Sequence, residues 1–244
     1  LLTRLWPLEE DVREDDSVVR FAAQAWPLRA AEEDRSQAIF QEAGALAREV
    51  GLGEALATRL DHAARDEGEH RALCMHVGKA MRARAPRLDR SPVRARLRSL
   101  PGAPRQRLLS VLVVDVAVGE SVSCGLFAAA LDRTEDSLIR SALTTLLRDE
   151  AGHALLGWDC LAAALEGAPD EAKAWAREEA GRGLAALQQS MARSALRRAE
   201  TVEPFDERLG AFGVLSPEAR MQTFHDAVEK RVLPRLDALG VGNW

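Results

Sequence analysis

Six residues of this chain have the types and spacing to bind metal ions, and they come as two copies of one pattern. Arg65-Asp66-Glu67-Gly68-Glu69-His70 returns as Arg148-Asp149-Glu150-Ala151-Gly152-His153, with Leu73 and Leu156 at the same offset beyond each copy. Upstream, Glu33, Ser36 and Phe40 repeat at identical spacing as Glu120, Ser123 and Phe127. Residues three apart on an α-helix share a face, so Glu67 and His70 reach one inward point, as do Glu150 and His153. Four buried carboxylates with nothing between them would be strongly destabilising. Two divalent cations balance four carboxylates and two neutral imidazoles, so the chemistry these residues can do is that of a dinuclear site. Carboxylate oxygens with a few imidazoles suit iron or manganese better than thiolate-rich sites do. Glu32 is adjacent to Glu33 and Glu42 lies further along the same segment, but only Glu33 fits the repeat.

Helices must position these groups. Ser17 can cap a short helix ending near Trp26, and Pro27 suits the first turn of the next, where its missing N–H costs nothing. A helix over about 28–50 ends at Gly51-Leu52-Gly53. The next, over about 54–84, carries Leu56, Leu60, Ala63, Ala64, Glu67 and His70 on one broad face. Pro86, Pro92, Pro101 and Pro104 prevent one continuous helix over 85–104. A third long helix follows to about 131, and Thr134 can cap a fourth that runs to about 166. Pro169 starts a further helix to about 199; Pro204, Gly210 and Gly213 mark a break, and Ser216-Pro217 opens a last helix that Pro234 bends or ends. Loops of a few residues make the first two helices antiparallel neighbours, and likewise the third and fourth. The connection of roughly twenty residues between the pairs can cross the length of a bundle. The expectation is an all-α, four-helix core over 28–166 with an N-terminal extension (1–26) and additional C-terminal helices (169–238), read as a single domain of 1–244.

Composition narrows the classes. With 244 residues, 47% of them hydrophobic, the chain has ample material for a core, and a net charge of −5 gives no general electrostatic case for nucleic acid. Three cysteines, Cys74, Cys124 and Cys160, with no Cys-x-x-Cys, suggest a reducing compartment and exclude a rubredoxin-like iron site or zinc ribbon. The chain starts at Leu1 rather than Met, which reads as a processed or truncated start, and no charged and apolar signal pattern is present; a cytoplasmic location is expected. The segment from Leu108 to Leu131 is apolar enough to suggest a membrane span, but Asp115 and Glu120 argue for a buried core helix. The acidic run from Glu9 to Asp16 reads as a solvated face. The sequence contains no Tyr, which excludes a tyrosyl-radical subunit.

On Glu33, Glu67-x-x-His70, Glu120 and Glu150-x-x-His153, the chain over 28–166 resembles the ferritin-like di-iron carboxylate superfamily, whose bundles set such a pattern around two metals. The resemblance implies two iron ions as cofactor, with Mn/Fe using the same ligands. Metal-bound His commonly donates its second N–H to a carboxylate, and Asp66 and Asp149 are the candidates. In similar oxygenases and desaturases such an Asp serves the His of the opposite hairpin. Gln37 and Cys124, four residues past the lone glutamates, and Phe40 and Phe127, seven past, are expected to border a substrate cavity. His62, His76 and His225 do not fit the repeat and read as surface or core residues.

The leading expectation is an O2-activating di-iron oxidase or oxygenase acting on a small organic substrate. Its electrons come from a separate reductase, since no flavin or iron–sulfur motif is present. The runner-up is an iron-oxidising or peroxide-scavenging protein similar to ferritin or rubrerythrin, and the third reading is a metal-retaining protein without turnover. Nine Arg against one Asp in 82–107 could dock an acidic electron donor or carrier protein, or merely solvate the crossover. Neither nucleic acid nor a membrane is expected as a partner; the C-terminal helices could cover one side of the bundle or make a homodimer contact.

Overall fold

The structure, a computed structural model, describes residues 17–85, 88–199 and 208–242. The acidic run from Glu9 to Asp16 and Pro204 lie outside the described residues. All regular structure among them is helical: α1 (Ser17–Glu49), α2 (Glu54–Ala80), α3 (Ser91–Arg98), α4 (Pro104–Val111), a π-helical stretch (Leu112–Gly119), α5 (Glu120–Arg133), α6 (Ser137–Leu165), α7 (Asp170–Ala199), α8 (Arg208–Ala211), α9 (Pro217–Ala227), a second π-helical stretch (Val228–Val232) and α10 (Leu233–Ala238).

The short loops impose the expected pairing. Gly51 and Gly53 take φ of 72° and 112°, values open to glycine at little cost, and α1 folds back on α2 along most of its length. The α4–π–α5 rod pairs with α6, and the two hairpins meet where α2 packs on α6. The crossover contains α3, which leans on α1. Beyond the four-helix core, α7 covers α4 and the π stretch, and α9 lies across α5 and α7.

Local expectations failed in three places, and one that leaves two alternatives at Pro234 loses one of them. Pro27 does not begin a helix but sits inside α1. Val18, Ala22, Trp26 and Ala30 are buried on both sides of it, and a Cβ on Gly78 of α2 would lie 3.1 Å from its Cδ. Packing of the continuous rod thus outweighs the lost hydrogen bond. Helix α2 stops at Ala80 rather than near 84, with Arg82 at φ 58° turning the chain away. Thr134 does not cap α6. Its hydroxyl donates to Ala130 O at the end of α5, and Asp136 accepts from Ile139 N instead, the stronger acceptor standing closer to the helix start. Finally, Pro234 does not end the last helix. Its ring falls in the first turn of α10, after a π-helical stretch, where a missing N–H is tolerated.

Two large apolar clusters fill the bundle, and a smaller third one joins Val122 to Met191, Phe224 and Ala227. One gathers Phe40, Leu46, Leu60, Leu112, Leu161 and Val232; the other gathers Trp26, Cys74, Val77, Ile139, Leu143 and Leu209. On α1 they leave a gap between Ala30 and Ala38, on α2 between Ala64 and Cys74, and on α6 between Leu146 and Leu156. Glu33, Glu67, His70, Glu150 and His153 fall in those gaps. The rod from Pro104 to Arg133 has the length and hydropathy of a membrane span, yet Leu108, Leu109, Val111, Leu112, Val113 and Val116 are fully buried against the other helices.

Candidate metal centre

The structure brings all six repeat residues to mid-bundle. Glu67, His70, Glu150 and His153 are buried, and one ligand atom from each lies within 4.8 Å of those of the other three. His153 Nδ1 is 3.0 Å from Glu67 Oε1 and 3.2 Å from Glu150 Oε2. His70 Nδ1 is 3.3 Å from Glu150 Oε1 and 3.6 Å from Glu67 Oε2. Glu33 and Glu120 are also buried. Among the neighbouring charges, Glu67 acts most on the Glu33 carboxyl and Glu150 most on that of Glu120. Glu32, by contrast, is exposed and pairs with Arg35, and Glu42 pairs with Arg107 at 2.8 Å; the repeat picked the inward glutamate of the three.

Electrostatics show how strained this cluster of acids is. Burial, then the Glu67 and Glu150 charges, push the Glu33 carboxyl well above the usual range. Burial and the Glu150 and Glu67 charges do the same to Glu120. Burial opposes a charge on His70, but contacts with Glu150 and Glu67 override it and carry its pKa up to about 11. His153, likewise opposed by burial and raised by Glu150 and Glu67, reaches about 10. Glu150 is held low: burial works against its charge and the two histidines win. Both oxygens of Glu67 and Nδ1 of His70 are sealed from solvent without a well-directed hydrogen bond. Such orphans are costly in a protein interior. They converge on a common point instead of aligning with one another, and the donor set is carboxylate and imidazole. The residues fit a pair of divalent ions.

The outer ring nitrogens find the expected acids, crossed between hairpins. His70 Nε2 lies 3.3 Å from Asp149 Oδ2, and His153 Nε2 lies 3.4 Å from Asp66 Oδ2. Arg148 clamps Asp149 through two bonds of 2.7 and 3.1 Å. This Arg148 contact, ahead of the His70 bond, holds the Asp149 carboxyl below the usual range. With Nε2 committed outward, each ring turns Nδ1 to the centre. His62, His76 and His225 are exposed and take no part.

A cavity of about 620 Å³ reaches Glu33, Glu120 and Glu150 from the side of α7 and α9. Of the four residues expected to border it, Phe127 does; Gln37, Cys124 and Phe40 are not on its wall. Gln37 is drawn the other way, donating to Ala64 O at 2.9 Å and accepting from Arg90. Phe40 is fully buried in the core with its ring 5.1 Å from that of His153. Cys124 is buried, and burial lifts its thiol to about 11. Ser36 and Ser123, the serines of the duplicated pattern, line the cavity in their place. Both stand in the duplicated pattern, three residues past its lone glutamates, and that spacing is the signal that marks them.

No protein-family profile and no curated protein sequence matches the chain. Among solved structures it is similar to a Synechococcus protein with aldehyde deformylating oxidase activity, at a TM-score of 0.60 and 16% identity, covering 92% of each chain. The chain is thus a ferritin-like helical bundle, and its Glu67, His70, Glu150 and His153 cluster fits a di-metal site of the kind that fold can house. At that identity the likeness concerns the fold.

Proposed function

We propose that this chain is a di-iron oxidase or oxygenase that uses O2 to oxidise a small organic substrate, with electrons from a separate reductase. The observation that carries the reading is the cavity opening onto Glu33, Glu120 and Glu150. A protein that only oxidises iron or scavenges peroxide has no need of room for an organic molecule beside its metals. The oxidase activity of the Synechococcus protein agrees in kind with this reading.

Glu33, Glu67, His70, Glu120, Glu150 and His153 would hold the ions. Two irons there, or a Mn/Fe pair on the same ligands, would supply O2 activation and the redox equivalents. The chain's own residues do the rest. Asp66 and Asp149 fix the tautomer and orientation of His153 and His70. The two apolar clusters above and below keep bulk water from the centre, which strengthens every charge interaction inside it. Phe127, Ser36 and Ser123 border the substrate. An acidic electron donor would meet the exposed Arg84, Arg94 and Arg98 of the crossover. Arg90, Arg96 and Arg107 are committed to Asp34, Asp115 and Glu42, and Arg105 to the Ala164 carbonyl.

The test is metal analysis and optical spectroscopy of wild type, Glu67→Ala and Glu150→Ala, after anaerobic reduction and exposure to O2. Wild type should hold two metals per chain and consume O2, and each variant should lose both metal and optical bands. Unchanged metal content in the variants would refute the site.

A further inference from the structure

Two arginines on the wall of the cavity beside the centre form no ion pair with a described acid. Arg29 of α1 and Arg220 of α9 both line it. Arg29 is fixed in place: Nη2 donates to Gly213 O at 2.5 Å, and its guanidinium lies 4.6 Å from the Trp26 ring and 6.0 Å from the Phe127 ring. Its Nη1 is sealed from solvent with no hydrogen-bond partner, and so is Nε of Arg220. Neither residue forms an ion pair among the described residues. The third arginine on the wall, Arg35, is paired with Glu32 at 3.6 Å. Burial, aided by the charge of Arg220 and opposed by Cys74, Glu32 and Glu33, lowers the pKa of Arg29. Sealed guanidinium N–H groups without a partner are costly, and an anion seated between the two arginines beside an apolar wall would satisfy them. Leu126, Phe127, Leu187 and Met191 supply that wall.

We infer that the substrate of this site is an organic acid with an apolar body, its carboxylate held between Arg29 and Arg220 and its carbon chain laid towards Glu33, Glu120 and Glu150. The inference rests on the di-metal reading for the word substrate, but the binding itself does not need the metals. A planar carboxylate matches the guanidinium fork. A single negative charge is repelled least by Glu32, Glu33, Glu120 and Glu150 on the same cavity wall, which favours a carboxylate over a phosphate monoester.

Isothermal titration of the full chain with octanoate, 1-octanol and octyl phosphate tests this, with metal content measured on every sample and each titration repeated after chelation. Octanoate should bind at least about tenfold more tightly than octanol, the factor expected of one charge-assisted hydrogen bond, and more tightly than octyl phosphate. The preference should survive chelation. Arg29→Gln and Arg220→Gln should each abolish it while leaving octanol binding unchanged. Should Arg29→Gln fail to fold for want of its bond to Gly213, Arg220→Gln carries the test. Equal binding of octanol and octanoate, a preference lost on chelation, or one retained in Arg220→Gln would overturn the inference, and tighter binding of octyl phosphate would overturn the carboxylate assignment. An arginine-dependent preference in a chain that holds no metal would uphold it while sinking the di-metal reading.

Discussion

Replacing Asp149 by Asn keeps the shape of the side chain and removes its charge from the outer nitrogen of His70. Carboxylates that support a metal-bound histidine in this way are typically worth 10–100-fold in metal affinity, about 1.4–2.7 kcal/mol. The structure ranks the two acids within that range. The Asp149 side chain is 27% exposed and 3.3 Å from its histidine, whereas Asp66 is 48% exposed and 3.4 Å away. Water screens the more open pair more strongly, so Asp149→Asn belongs near the 100-fold end and Asp66→Asn near the tenfold end. Arg148→Ala is the internal control. Arg148 is 73% exposed, and a surface ion pair contributes about 0–1 kcal/mol, so affinity should change by no more than roughly threefold to fivefold. Competition with a graded series of chelators, read through the optical bands of Co(II) loaded into the site, measures all three. Wild-type affinity in Asp149→Asn, or a larger loss in Asp66→Asn than in Asp149→Asn, would refute the reasoning that these acids orient the histidines.

Removing metal should lower the melting temperature: ions at about 1,000 times their Kd stabilise by about 4 kcal/mol, or roughly 8–16 °C for a chain of this size, as scanning calorimetry with and without chelator will show. Gly157→Ala should cost about 1–3 kcal/mol and reduce metal content. Its Cβ would lie 2.8 Å from backbone atoms of Val116 and Ala117, prising α6 from the segment that leads to Glu120. Gly152→Ala, with nothing within 4 Å of the added carbon, should be neutral or slightly stabilising in the same denaturant titration. Asp34 is buried and bonded to Arg71 at 2.6 Å and Arg90 at 2.7 Å. Its Arg90 bonds hold its pKa below the unfolded value of about 3.9. Its stabilisation is therefore complete above about pH 4 and fades as the pH falls through the lower folded value. Asp34→Ala should cost about 2–3 kcal/mol at neutral pH and flatten the acid limb of the stability curve.

The helical hairpins and the inward acids were legible because each rests on spacing alone. A loop of four residues after Glu49 and one of three after Arg133 leave the chain no choice but to turn back. A spacing of three from Glu67 to His70 puts both on one face whatever surrounds them. What spacing cannot settle is competition between local preference and packing. Pro27 is a helix starter by local chemistry, yet it continues a rod whose two halves both bury Ala and Trp side chains. Thr134 and Asp136 are both acceptable caps, and their difference in sequence is too small to choose between them.

The cavity was misplaced for a geometric reason. On a helix, a residue three past the ligand lies about 60° to one side of it and a residue four past lies about 40° to the other. Ser36 and Ser123 are on the first side, Gln37 and Cys124 on the second. Sequence symmetry treats the two sides alike, and the choice is made by α7 and α9, which lie outside the repeat. The second side is taken up by the contact of Gln37 with the α2 backbone, whereas the first is left open beneath α7 and α9.

The repeat also directs attention to what matches, and the cavity depends on what does not. Four residues before Glu33 stands Arg29, and four before Glu120 stands Val116. Val116 is buried in the core against α6, where only Gly157 allows so close an approach. Arg29, in the corresponding slot of the other hairpin, reaches the cavity and meets Arg220 from α9. Duplicated acids and histidines give a symmetric centre able to hold two ions. A departure from the duplication at Arg29, completed by helices outside it, gives that centre one open side and, on the inference above, a charge preference there. On the proposed function, the symmetric part would set the metal chemistry, and the asymmetric part is where substrate choice has to be sought.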